Sequence, residues 1–271
     1  MVEIDRILSN IANMTHDLTS SIQRKYPINL VSDMISSVEK INIDLKNHRQ
    51  FLTLGHLNTV SIPLHKDKIF RVLKKIDLDI FGVSETNIKQ GTPKDLFNFP
   101  GYKLFHSNRD YAKCGGVGIF LKDEYASKAK LINVNFNQSQ PEHIFVEFEI
   151  RKVKILVGVL YKSPKIRYGV FGDIFETLAF LTTKYDNCVF LGDFNINQLT
   201  PNEPDYKFLK NNIIEPLSLE QIIKEPTRIT KNTCTLIDLI LVNSPDKVKT
   251  AGCADLPGLS DHHIVYCSYS L

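Results

Sequence analysis

The chain has 271 residues, 43% hydrophobic and 23% charged, and a net charge of +3. That length holds one large core, or a core plus an appendage, and the composition excludes a low-complexity protein. No apolar run reaches membrane-span length, the N-terminus lacks a signal peptide's unbroken apolar core, and so mild a basicity identifies no partner by itself.

Residues 1–48 read as an appendage. Ile4, Ile7, Ile11, Met14, Leu18 and Ile22 form one helical stripe, which Tyr26-Pro27 breaks. A weaker stripe follows at Leu30, Met34, Val38, Ile41 and Leu45. Such faces must pack on the main domain, on each other or on a second copy, and packing within the chain is the favoured expectation. From residue 49 to 271 short apolar strands alternate with helices. The expected strands are Phe51–Asn58, Asp79–Ser84, Lys103–Ser107, Gly116–Leu121, Ile144–Ile150, Val153–Tyr161, Cys188–Asp193, Thr235–Val242 and Ile264–Ser268. The expected helices are Leu64–Ile76, Phe171–Lys184, Asp205–Asn211 and Leu219–Ile223. Lys103–Leu121 and Ile144–Tyr161 read as antiparallel hairpins. This texture predicts a four-layered α/β sandwich, two mixed sheets flanked by helices, with an N-terminal helical extension. The cysteines, Cys114, Cys188, Cys234, Cys253 and Cys267, show no C-x-x-C spacing and are expected as small apolar residues in a reducing, intracellular compartment.

Most strands of interest end in polar residues, where such folds place their sites. Asn58 closes the first strand, as a helix cap or as a ligand. The apolar run Ile80–Ser84 delivers Glu85; a carboxylate there must be solvated, paired or bound to a hard cation. Tyr161 ends a long strand before Pro164, either packing its ring or offering a hydroxyl to charge. Gly192-Asp193-Phe194-Asn195 ends another strand and sets a carboxylate and a carboxamide on one spot. Asp238 lies inside an apolar strand and needs a partner, which His262 in Ser260-Asp261-His262 can supply. There is no serine elbow, Cys–His motif or Gly-rich phosphate loop. A carboxylate-rich site with a His and no nucleophile suits metal-assisted attack of water on a phosphate ester.

In order and spacing, Leu57-Asn58, Ser84-Glu85-Thr86, Tyr161 before Pro164, Gly192-Asp193-Phe194-Asn195, Ile237-Asp238-Leu239-Ile240 and Ser260-Asp261-His262 resemble the endonuclease/exonuclease/phosphatase superfamily. Ser84-Glu85-Thr86, Gly115-Gly116-Val117-Gly118-Ile119, Pro226-Thr227-Arg228 and Thr235–Ile240 are similar to the endonuclease domain of non-LTR (LINE-type) retrotransposons; Asn243–Lys249, leading into Gly258–His263, is most similar to the jockey-like elements. The resemblance implies a DNA endonuclease using Mg²⁺, with Mn²⁺ as a substitute. It would nick double-stranded target DNA in the nucleus and leave a 3′-hydroxyl for a reverse transcriptase domain downstream in the same polypeptide. Glu85 would be the principal metal ligand with Asn58 beside it. Asp193 would activate the water, Asn195 would hold a phosphate oxygen and Tyr161 would meet developing charge. Asp238 would orient His262, Asp261 would lie near the metal and the leaving oxygen, and Thr227 and Arg228 would contact DNA. Lys162, Arg167 and Lys231 are further candidates for phosphate contacts. The sequence departs from the pattern at Val60, which stands where a second polar residue often follows the Asn, and at residues 1–48, which lie outside the family's fold. The competing expectations are a phosphatase or phosphodiesterase acting on a non-DNA ester, and a non-catalytic module that self-associates through residues 1–48.

Overall fold

A computed structural model of the chain describes residues 28–89, 91–93, 97–107, 115–134 and 140–271. The stripe from Ile4 to Ile22, the Tyr26-Pro27 break and Cys114 lie outside the described residues. In chain order the elements are α1 (Ile28–Lys46), β1 (Leu52–Asn58), α2 (Ile62–Ile76), β2 (Ile80–Ser84), β3 (Tyr102–Ser107), β4 (Val117–Lys122), α3 (Asp123–Ala126), β5 (Lys130–Ile132), β6 (Glu142–Ile150), β7 (Val153–Tyr161), α4 (Phe175–Lys184), β8 (Cys188–Asp193), α5 (Pro204–Leu209), β9 (Glu220–Gln221), β10 (Arg228–Ile229), β11 (Cys234–Thr235), β12 (Asp238–Val242), β13 (Val248–Ala254) and β14 (Ile264–Tyr269).

The strands form two mixed six-stranded sheets, ordered β13-β14-β1-β2-β4-β3 and β5-β6-β7-β8-β12-β9. Each sheet holds one parallel pair among the described strands, β1 with β2 and β7 with β8, flanked by antiparallel neighbours. In each case a helix connects the parallel strands, α2 in the first sheet and α4 in the second. The two sheets thus share a pairing pattern that no sequence repeat announces.

Alternation along the strands builds the layers. Leu52, Leu54, Val117 and Ile119 of the first sheet share a buried cluster with Val157, Val159, Val189 and Leu191 of the second. Phe171, Leu178 and Leu181 join that cluster from the helical layer beyond the second sheet. On the other face of the first sheet, Leu57, Phe81, Val83 and Phe120 cluster with Ile69, Val72 and Leu73 of α2 and with Ile41 and Leu45 of α1. The fold is therefore the expected four-layered α/β sandwich.

Helix α2 shows why its sequence folds locally. Ser61 caps it by accepting from the Leu64 amide, Pro63 sits in its first turn, and Asp77 ends it in the left-handed region at φ 57°. Helix α1 turns Val38, Ile41 and Leu45 inward, and Lys40 Nζ donates to Cys253 O at 3.2 Å. Those three residues are spent within the chain. Because Ile41 is 0% exposed, Ile41→Ala is expected to cost about 2–5 kcal/mol in urea unfolding. A cost below about 0.5 kcal/mol, the range of ordinary surface substitutions, would mean that α1 does not belong to the folded unit.

Two expectations need correction, and one strand was not foreseen. Leu219–Ile223 is not a helix: Glu220–Gln221 pairs as β9 with the edge of β12, and the Ile222 amide donates to Ile240 O. Thr235–Val242 is two strands, because β11 leaves the sheet to pair with β10. Val248–Ala254, which is not among the expected strands, is an edge strand on β14. Among the described residues no helix is long and apolar enough to cross a membrane.

Candidate active site

The candidate site lies where the parallel pairs of both sheets end. In the second sheet Glu142, Tyr161, Asp193 and Asp238 stand opposite one another on adjacent strands, so one polar rung crosses β6, β7, β8 and β12. In the first sheet Asn58 stands opposite Ser84 at the ends of β1 and β2. Residues facing each other across a ladder share a sheet face. Mostly apolar inward positions therefore give way to polar ones on the rung at this edge, which is the end of β7 and β8 and the start of β6 and β12.

The rungs meet through Asn58. Its Nδ2 donates to Glu85 Oε1 at 3.1 Å and to Asp193 Oδ2 at 2.9 Å. Tyr161 donates its hydroxyl to the same Glu85 oxygen at 2.9 Å. Glu85 leaves β2 in the left-handed region at φ 49°, a strained conformation held by its neighbours: the Thr86 and Asn87 amides donate to Gly116 O and Gly115 O. Gly116 is required there, since a Cβ would lie 2.3 Å from Thr86 Oγ1.

Asp193 is 0% exposed and heavily bonded. Its Oδ1 accepts from the Asn195 amide at 2.9 Å, and its Oδ2 also accepts from Asn195 Nδ2 at 3.1 Å. Burial, then the charge of Asp238, raises its pKa to about 7, against the pull of His262, Asn58 and Asn195. Asp238 is equally buried, and its Oδ2 accepts from His262 Nδ1 at 2.8 Å and from Thr227 Oγ1 at 2.9 Å. Burial works against the His262 cation, but Asp238, Asp193 and Asp261 outweigh it and raise the pKa to about 9. Behind this pair lies His56, fully buried, whose pKa burial lowers to about 4.

Several expected residues take other roles. Asn58 turns its amide nitrogen to the carboxylates while its Oδ1 accepts from the Val60 amide, so here it bridges Glu85 and Asp193. Asn195 donates its side-chain amide to Asp193 and to Lys162 O, which fixes the carboxylate instead of reaching a phosphate. Thr227 is 0% exposed; its hydroxyl orients Asp238 and accepts from the Ile237 and Asp238 amides, leaving nothing for DNA. Asp261 is held by Arg228 at 2.7 Å, on the exposed side of His262. Lys162 is buried, with Nζ donating to Ser163 O and Ile166 O, and so braces its loop. Sequence reasoning missed Ser260, which donates to Asn58 O at 2.7 Å and accepts from the His262 amide at 3.0 Å, tying two motifs together. It also missed Glu142, whose Oε2 accepts from the Gly116 amide. Its place just after Pro141, at the start of a strand, was the available signal.

Two places could hold a cation. The ligand atoms of Asp193, Asp238 and His262 lie within 4.8 Å of one another. That cluster is enclosed, and His262 Nδ1 and one Asp238 oxygen are spent on each other. Glu85 is half-buried, and its Oε2 makes no hydrogen bond among the described residues. A hard cation that keeps several waters fits the open carboxylate better.

Residues 55–262 match the Endonuclease/Exonuclease/phosphatase family. The chain belongs to that family. No curated protein matches it. Among solved structures of the family's fold, the chain is similar to the endonuclease domain of TRAS1, a telomere-specific non-LTR retrotransposon, at 15% identity and TM-score 0.60, covering 82% of this chain and 99% of that one. It is similar to a Neisseria 3′ phosphatase bound to a product DNA hairpin at 18% identity and TM-score 0.63, covering 81% and 100%. It also resembles the human Nocturnin catalytic domain at 16% identity and TM-score 0.61, covering 81% and 94%. At such identities these likenesses establish the endonuclease/exonuclease/phosphatase fold, and the substrate must be argued from the site.

His56 has a consequence for stability. Its folded pKa of about 4 lies below the ordinary imidazole value of 6.5, so the unfolded chain binds its proton first as pH falls. The contribution is complete above about pH 6.5 and is lost on the way down to about pH 4, on the order of 3 kcal/mol. Urea unfolding at pH 7.5 and pH 4.5 is expected to show that loss, and His56→Phe to show a flatter acid limb. An identical acid limb in the variant would rule out this source.

Proposed function

We propose that the chain is a Mg²⁺-dependent endonuclease that nicks one strand of duplex DNA and leaves a 3′-hydroxyl, in the service of a non-LTR retrotransposon in the nucleus. One contact carries the hydrolytic reading: the Asn58 amide donates at once to Glu85 and Asp193 and so joins the open carboxylate to the buried one. Mg²⁺, or Mn²⁺ in its place, would be held by Glu85 and supplies Lewis-acid charge to a phosphate oxygen. Asp193, poised near neutral pH, takes the proton of the attacking water. The water oxygen bonds to phosphorus as the P–O3′ bond breaks, and the leaving 3′ oxygen takes a proton from solvent to become the 3′-hydroxyl. His262, held cationic by Asp238, donates to a non-bridging phosphate oxygen as charge builds. Tyr161 keeps its proton, since burial and Glu85 raise its pKa, and fixes the Glu85 carboxylate.

The DNA reading is supported by the motifs shared with non-LTR endonuclease domains and by the likeness to TRAS1. It implies a reverse transcriptase domain as partner. Supercoiled plasmid, an abasic duplex, a 3′-phosphate hairpin and small phosphate esters, each with Mg²⁺ and with EDTA, would separate the possibilities. The expected result is a metal-dependent single nick, with turnover of small esters far slower. Fast turnover of a small ester beside an intact plasmid would favour a phosphatase.

A further inference from the structure

The inward face of β1 runs Leu52, Leu54, His56, Asn58, and that of β2 runs Ile80, Gly82, Ser84. His56 therefore points between the sheets, one rung behind Asn58, toward the start of β12. Its Nε2 lies 3.2 Å from Ser84 Oγ, and its Nδ1 lies 3.9 Å from Asp238 Oδ1. Both His56 Nδ1 and Asp238 Oδ1 are buried without a hydrogen-bond partner. Two bare, complementary atoms thus face each other across a gap too narrow for a water, and a shift of about 1 Å makes it a hydrogen bond. The other Asp238 oxygen is taken by Thr227 and His262.

A carboxylate oxygen only accepts, whereas the Ser84 hydroxyl can donate or accept. The single proton of a neutral ring then belongs on Nδ1, with Ser84 donating to Nε2. We propose that His56 is a positioning residue whose Nδ1–H holds Asp238 Oδ1, so that Oδ2 stays aimed at His262. The chain Ser84–His56–Asp238–His262 ties the first sheet to the phosphate-facing imidazole of the second. The catalytic part of this inference rests on the hydrolytic role proposed for His262; the hydrogen bond itself does not.

The test begins with histidine-labelled wild-type protein and ¹H–¹⁵N NMR. The expected result is His56 as the Nδ1–H tautomer with a protected ring proton; a proton on Nε2 overturns the inference. Kinetics on a duplex with one labelled nick site follow. His56→Phe, which fills the site with a ring but removes both nitrogens, is expected to lower kcat at least about tenfold with KM within about twofold and to shift the His262 Nδ1 proton. His56→Asn, which restores a donor near Nδ1, is expected to return kcat to within about threefold of wild type. Equal impairment in both variants with an unmoved His262 proton means space-filling only and overturns it, as does full activity in both. If His56→Phe does not fold, the wild-type tautomer and His56→Asn decide. If wild type cleaves no phosphodiester, the proposed function falls while the tautomer still decides the hydrogen bond.

Discussion

Asp193→Asn is expected to lower kcat for phosphodiester cleavage by about 10³-fold while leaving KM nearly unchanged. The side chain keeps its size, and the side-chain amides of Asn58 and Asn195 still have an oxygen to bond, at the loss of the bond from the Asn195 backbone amide. What it loses is the capacity to accept a proton, and the same rung offers no ready substitute: Tyr161 is already a donor to Glu85, one Asp238 oxygen is taken by His262 and Thr227, and Glu142 stands two strands away on β6, accepting from the Gly116 amide. Single-turnover cleavage of a labelled duplex measures the effect. A variant within tenfold of wild type would remove Asp193 from the chemistry.

Gly192→Ala is expected to abolish activity from one residue away by a different route. Gly192 stands opposite Leu160 in the parallel pair, and a Cβ there would lie 1.9 Å from the Leu160 carbonyl oxygen and 2.9 Å from its carbon. Backbone cannot move aside as a flexible side-chain end can, so β7 and β8 must part just where Tyr161 and Asp193 are delivered. Overpacking of this kind is expected to cost about 3 kcal/mol or more, with a clear fall in Tm. An alanine variant with wild-type Tm and activity would mean that the two strands do not approach as described.

The sequence was most legible where chemistry sits at the end of an apolar run. Glu85, Asp193 and Tyr161 follow such runs, and the structure brings them together through Asn58 and direct hydrogen bonds. His56 and Glu142 were not legible. A polar residue within or at the start of a strand looks like ordinary alternation until its facing strand is known, and for His56 that partner comes from the other sheet. Thr227 was misread for the same reason: its hydroxyl is spent on Asp238, eleven residues on and inside the core. Leu219–Ile223 fits helical spacing, and only its pairing with β12 makes part of it strand. Val248–Ala254 has small residues and little apolar contrast, so its place on β14 had no sequence signal.

The most direct test of the account is the chemistry of the product end. Supercoiled plasmid treated with the chain and Mg²⁺ is passed to a DNA polymerase with labelled nucleotide. The account predicts one nick per circle whose 3′-hydroxyl is extended without further processing, with no nick in EDTA. Intact plasmid at high enzyme excess, or nicks that a polymerase extends only after 3′-phosphate removal, would contradict it.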